Sequence, residues 1–144
     1  MQRDARPGDA GGRGRGEIVL IVDDERELVH LVEELLAARG YEPVGYTDAT
    51  AALLAFRREP RRFDLVLSDE RMPLLRGIEF AEQVRAVRAD IPIIVMTGHR
   101  DTELDSRAAR ARVAEILDKP LRATVLQDAV ERSLHGAVAA EAAA

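Results

Sequence analysis

The chain contains no cysteine and no tryptophan, and of its 21 basic residues only Lys119 is a lysine. The lack of thiols excludes disulfides, zinc–thiolate centres and cysteine nucleophiles. Two Tyr and three Phe are the only aromatics in 144 residues, so a core has to be built from Leu, Val, Ile and Ala. No apolar run approaches the roughly 20 residues needed for a membrane helix. The polar, Gly-rich N-terminus lacks the apolar stretch of a signal peptide. A cytoplasmic protein with no membrane association is the expectation. A net charge of -5 argues against nonspecific nucleic-acid binding.

With 47% hydrophobic residues the chain is long and apolar enough for one domain with a real core. Residues 1–16 hold five of the ten Gly, and four Arg against two Asp. They are expected to form a disordered, mildly basic tail. Residues 17–135 form the expected domain, and the Ala-rich stretch 136–144 is expected to fray.

Inside 17–135, short apolar runs alternate with helical periodicity. Glu17–Val22 is a run of the kind found in strands covered on both faces. Leu28, Leu31, Val32, Leu35 and Leu36 then recur at helical spacing, with Leu28, Leu31 and Leu35 as the expected core stripe and Gly40 as the stop. A weaker strand is expected over 41–46 and a helix over Ala49–Arg58. Further strands are predicted at 63–68, 93–96 and 115–118, separated by helices from Ile78 to about Ala89 and from Thr102 to Arg112. A last helix runs through Leu134. Five βα units in sequence predict an α/β fold: a doubly wound, five-stranded parallel sheet flanked by five helices.

In such a sheet ligands bind beyond the carboxyl ends of the strands. Asp23 and Asp24 follow the first run, Asp69 the third, Thr97 the fourth and Lys119 the fifth. Asp23–Asp24 alone would also suit the first turn of a helix, and Lys119 alone would suit a solvated surface. Together they form a set. Each pair of like charges at ~4 Å costs about 4 kcal/mol at an effective dielectric near 20, so three converging carboxylates call for a cation. Hard oxygen ligands without His or Cys favour Mg²⁺. A carboxylate beside Mg²⁺ can be a nucleophile for phosphoryl transfer, with a Lys and a Thr neutralising the remaining phosphoryl oxygens. In a chain otherwise restricted to Arg, the lone Lys suggests a need for a compact point charge.

The motifs Val22-Asp23-Asp24-Glu25, Ser68-Asp69-Glu70-Arg71-Met72-Pro73, Met96-Thr97-Gly98 and Lys119-Pro120 resemble those of receiver domains in bacterial two-component response regulators. The resemblance covers about 17–135, Gly77 included, and extends to stand-alone, chemotaxis-regulator-like receivers and those of hybrid kinases. It implies the flavodoxin-like strand order 2-1-3-4-5. It also implies that Asp69 is the phosphoacceptor, and that Asp24 ligates Mg²⁺ directly while Asp23 acts mainly through water. It further implies that the main-chain carbonyl of Arg71 is a ligand, that Thr97 bonds the phosphoryl group and moves, and that Lys119 pairs with a phosphoryl oxygen. Gly98 would leave the acceptor open to its donor. Arg71 and His99 stand where the family tunes phosphoryl lifetime. Ile116 occupies the place where the family often has an aromatic switch, and Leu121 one where it often has Phe.

The implied partners are a histidine kinase or histidine phosphotransfer protein as donor and an unidentified output protein on the surface of the fourth helix, fifth strand and fifth helix. No nucleic acid is expected to be bound by this chain, and the expected state is a monomer or weak dimer. Such a protein catalyses its own phosphorylation and dephosphorylation without being a metabolic enzyme. A flavin binder would need a Ser/Thr/Gly-rich phosphate loop in place of Asp23-Asp24-Glu25. A haloacid-dehalogenase-type phosphatase would need its nucleophile after the first strand. A receiver acting only as an interaction module would usually have lost an acid or the Lys.

Overall fold

The computed structural model describes residues 14–136. The tails expected at 1–16 and 136–144 lie outside them, except for residues 14–16 and 136. At this edge Gly14 and Gly16 donate backbone hydrogen bonds to Arg39 and Gly40, so residues 14–16 lie along the turn around Gly40.

The order of elements is β1 (Ile18–Val22), α1 (Arg26–Ala37), β2 (Glu42–Tyr46), α2 (Ala49–Arg58), β3 (Leu65–Asp69), α3 (Gly77–Val87), β4 (Ile93–Thr97), α4 (Thr102–Arg110), β5 (Glu115–Asp118) and α5 (Ala123–Glu131). The five strands are parallel, as the sequence predicts, in the order β2-β1-β3-β4-β5 that the resemblance implies. The chain winds outward from β1 to β2, then returns to β3 on the other side of β1. The ends of β1 and β3 therefore flank the point where the winding reverses, which is where such sheets open a crevice.

Successive strand residues point to opposite faces, and the core divides accordingly. Leu20, Val22, Val66, Ile93 and Val95 face α2, α3 and α4, where Phe56, Phe80 and Leu104 meet them. Val19, Ile21, Leu65, Leu67, Ile94 and Met96 face α1 and α5, packing on Val32, Leu36, Leu126 and Val130. Every residue of β3 and β4 is buried. β2 is an edge strand, half-buried over most of its length, which explains its weak apolar pattern; an edge also tolerates Pro43, which has no N–H to donate.

Three local expectations are corrected. Leu31, expected in the core, is 44% exposed, whereas Val29, Val32 and Leu36 are buried. α1 carries two apolar stripes one residue apart. The sheet takes the stripe of 29, 32 and 36, leaving Leu28 and Leu35 at its margin. α4 stops at Arg110 instead of Arg112, because Arg112 turns to φ 57. There Arg85 of α3 donates to the carbonyls of Ala111 (3.2 Å) and Arg112 (2.9 Å), groups that a helix end leaves without partners. α5 gives way after Glu131 to one wide turn, Arg132–Gly136, in place of regular helix to Leu134. Arg132 is held there by both oxygens of Glu115 on β5, at 2.7 and 3.1 Å.

Candidate functional site

Asp69 is the last residue of β3, and Asp23 directly follows β1, its neighbour in the sheet. Adjacent parallel strands thus deliver two carboxylates side by side. Asp24 comes one residue later, at the solvent edge. Asp23, Asp24 and Asp69 each offer one carboxylate oxygen, and these three atoms lie within 4.8 Å of one another. Asp23 and Asp69 are buried and Asp24 is exposed, so the cluster opens to solvent on one side.

Lys119 follows β5 and reaches across the strand ends. Its Nζ lies 3.0 Å from Asp69 Oδ1, 3.2 Å from Asp23 Oδ2 and 3.8 Å from Glu25 Oε1. Its own N–H donates to the carbonyl of Thr97 (2.8 Å), tying it to the end of β4, and the Lys119–Pro120 bond is cis. Burial alone would lower the Lys119 ammonium, but the hydrogen bond to Asp69 and the charges of Asp23 and Asp69 outweigh it and hold it above its ordinary value. Asp69 is raised above the usual carboxylate range, chiefly by burial, against the opposing pull of Lys119. Asp23 is raised by burial to about 6, despite the Glu25 N–H it accepts at 2.9 Å.

Four of the predicted residues, Asp23, Asp24, Asp69 and Lys119, are therefore brought together. The hydroxyl of Thr97 is turned aside: it accepts from His99 N and donates to His99 O, both at 3.1 Å. Thr97 lines a small cleft beside Asp69 with Glu70, Arg71, Arg76, His99 and Arg107. Arg71 lies two residues past Asp69, its side chain exposed. A Cβ on Gly77 would run into the carbonyl oxygen of Asp69 and come within 2.9 Å of Glu70 Cα, so only glycine permits α3 to start this close behind Asp69. A Cβ on Gly98 would meet nothing within 4 Å. Ile116 is half-buried against the core on the α2–α4 face.

Two acids were missed as participants. Glu25 approaches Lys119, a role its place in the Asp23-Asp24-Glu25 run could have suggested. Glu70, only 4% exposed, gave no signal beyond its adjacency to Asp69.

The family model of the response regulator receiver domain matches residues 19–131. The chain belongs to that family. Among curated proteins, this receiver is similar to the transcriptional regulatory protein FixJ of Rhizobium meliloti (strain 1021), with 36% identity over 124 residues, 86% of this chain and 60% of that protein. It is 33% identical to the C4-dicarboxylate transport transcriptional regulatory protein DctD of Pseudomonas aeruginosa, over 81% of this chain and 25% of that one. Among solved structures it resembles the Vibrio cholerae chemotaxis protein CheY4, with a TM-score of 0.77 and 29% identity, covering 83% of this chain and 99% of that one. The receiver thus spans less than two thirds of both curated relatives. No helix among its described residues is long and apolar enough to cross a membrane.

The raised carboxyl of Asp23 has a consequence for stability. Between about 6 and the ordinary value of 3.8, the folded protein binds a proton at Asp23 that the unfolded chain does not. Linkage then makes the metal-free receiver more stable as pH falls through that window, and the gain is lost as pH rises through 6. Asp69 acts in the same direction. Asp90, lowered by its hydrogen bond to Arg88, acts oppositely but only below the usual carboxylate range. Melts in chelator are expected to show a higher Tm at pH 5 than at pH 7.5, with a gain in stability on the order of 1–3 kcal/mol. A divalent cation held by these carboxylates should stabilise less at pH 5, since carboxylate ligands must be deprotonated. A Tm that drops steadily as the pH is lowered over this range would contradict the assignment.

Proposed function

We propose that this receiver accepts a phosphoryl group on Asp69 from a kinase or phosphotransfer-protein phosphohistidine, in a Mg²⁺-dependent reaction. The observation that carries the reading is the position of the Asp69 carboxylate, 3.0 Å from the Lys119 ammonium and within 4.8 Å of Asp23 and Asp24. Three hard carboxylates, one of them exposed, suit Mg²⁺; Asp24, Asp69 and the Arg71 carbonyl would hold it, and Asp23 would act mainly through water. When bound, Mg²⁺ neutralises charge on the incoming phosphoryl group.

The chain's own groups supply the remainder. An Asp69 carboxylate oxygen attacks phosphorus, the P–N bond of the phosphohistidine breaks, and the imidazole leaves with the electron pair and takes a proton from solvent. Lys119 stabilises a phosphoryl oxygen as charge shifts. Thr97 releases His99 to donate its hydroxyl to another, and that release carries the change into the loop before α4. Arg71 and His99, on the same cleft, govern how readily water reaches the aspartyl phosphate. The output surface is α4, β5 and α5, with Arg100 and Arg107 near α4 paired to Asp105 (2.8 Å) and Glu82 (3.9 Å) and Arg110 and Arg112 beside them, and its reader is another protein or domain. A pure interaction module is the less favoured reading, since both acids, the acceptor, the Thr and the Lys are all present.

The test is incubation with Mg²⁺ and acetyl phosphate, read by intact mass. One added phosphoryl group is expected with Mg²⁺ and none in chelator. An unmodified protein in the presence of Mg²⁺ would favour the interaction module.

A further inference from the structure

Glu70 carries a charge that the phosphoryl chemistry leaves unused, yet it is 4% exposed. A buried carboxylate is costly unless its oxygens are satisfied. Both are. Oε1 accepts from the N–H of Ile78 at 2.9 Å, and Oε2 pairs with Arg76 Nε at 3.2 Å. Ile78 is the second residue of α3, and its N–H is one of the donors that a helix start leaves without an internal partner. A carboxylate there also faces the positive end of the helix.

The main chain of Glu70 is fixed as well. Its N–H donates to Met96 of β4 at 2.8 Å, and its carbonyl accepts from Gly77 at 3.0 Å. One residue therefore holds the sheet end and the helix end of the segment 70–78 together. Between those ends, Arg71, Pro73 and Leu74 are exposed, with Met72 buried and Leu75 only partly so. Leu74 is 97% exposed at φ 70, an uncommon conformation for a bulky residue.

We propose that Glu70 is a positioning residue, whose carboxylate closes the loop between Asp69 and α3 and thereby holds the Arg71 main chain in place for the metal. The inference rests on the Mg²⁺ reading above and adds to it a residue that touches neither metal nor phosphoryl group. Groups one step removed from a metal ligand commonly set its affinity, because they fix where the ligand atom sits.

Calorimetric titration of Mg²⁺ into wild type, Glu70→Ala and Glu70→Gln, with a melting curve for each, tests it. Glu70→Ala leaves Ile78 N–H and Arg76 without their partner, and Mg²⁺ binding is expected to weaken roughly tenfold, the low end for such residues. Glu70→Gln keeps an acceptor for Ile78 but not for Arg76, and should restore most of the affinity while remaining at least about twofold weaker than wild type. A purely structural role would lower the Tm of Glu70→Ala and leave its Mg²⁺ affinity unchanged, and that result overturns the proposal. Should Glu70→Ala fail to fold, an affinity of Glu70→Gln equal to wild type overturns it instead. Wild-type protein that binds no Mg²⁺ overturns the parent reading; wild-type binding with unaffected variants overturns this one alone.

Discussion

Asp69→Asn is expected to take up no phosphoryl group under conditions that modify the wild type, and to remain folded. The substitution is close to isosteric, and the amide oxygen can accept from Lys119 where Asp69 Oδ1 does now, at 3.0 Å. What disappears is the proposed nucleophile, because an amide oxygen does not form a stable bond to phosphorus. Stability should not suffer. Burial already raises the Asp69 carboxyl and so disfavours its charge, and a neutral side chain removes its repulsion with Asp23 and Asp24. The metal-free Tm is therefore expected to equal or exceed that of wild type. Mg²⁺ affinity should fall, since two carboxylates remain where there were three. Intact mass and melting curves measure all of this. A phosphoryl group found on Asp69→Asn would move the acceptor to Asp23 or Asp24.

The parallel sheet and the clustering of Asp23, Asp24, Asp69 and Lys119 were legible in the sequence for one physical reason, whereas the order of the strands came with the resemblance to receiver domains. Buried parallel strands are continuous apolar runs, and the residues that end such runs all lie at the same edge of the sheet. Charged residues directly after Val22, Ser68 and Asp118 could therefore be assigned to one edge without knowing any contact. The phase of α1 was not legible, because Leu28, Leu31 and Leu35 and the stripe of Val29, Val32 and Leu36 are equally apolar; only the packing of α5 and the sheet decides between them. The end of α4 was hidden similarly, since it depends on Arg85, 26 residues from Ala111.

Side-chain bonds across a loop were the least legible. Nothing local marks Glu70 as the partner of Ile78, eight residues on, because either residue alone reads as ordinary loop and helix. Nor does the sequence show which way Thr97 points. Its hydroxyl spans to His99 in a turn that any strand-end threonine can form, so phosphoryl bonding at Thr97 requires a change from the arrangement seen. Ile116, half-buried in an aliphatic core, has no polar tip to report such a change as a tyrosine would. The loop of His99 and the N-terminal end of α4 are then the parts of this receiver most directly tied to Thr97.

Lys119 is the second position where a large effect is expected. Its Nζ stands between Asp23 and Asp69 and near Glu25, and among the described residues no arginine pairs with Asp23 or Asp69. Lys119→Met leaves two buried carboxylates without a counter-charge. Breaking a buried pair costs about 3–5 kcal/mol. Protonation of the raised Asp23 relieves part of it, so a loss of about 2–3 kcal/mol is expected in chelator at neutral pH. Mg²⁺ should restore more stability to this variant than to wild type, because the acids then have no competing ammonium. Phosphoryl uptake should still fall on the order of 100-fold, the usual effect of removing one donor from developing charge. Lys119→Arg separates charge from shape. Guanidinium keeps the positive charge, but its planar fork prefers both oxygens of one carboxylate to bridging two. Its metal-free Tm is expected near that of wild type, with uptake at least roughly tenfold slower. Wild-type uptake by Lys119→Arg would show that any cation suffices here, and a wild-type Tm for Lys119→Met in chelator would show that the carboxylates need none.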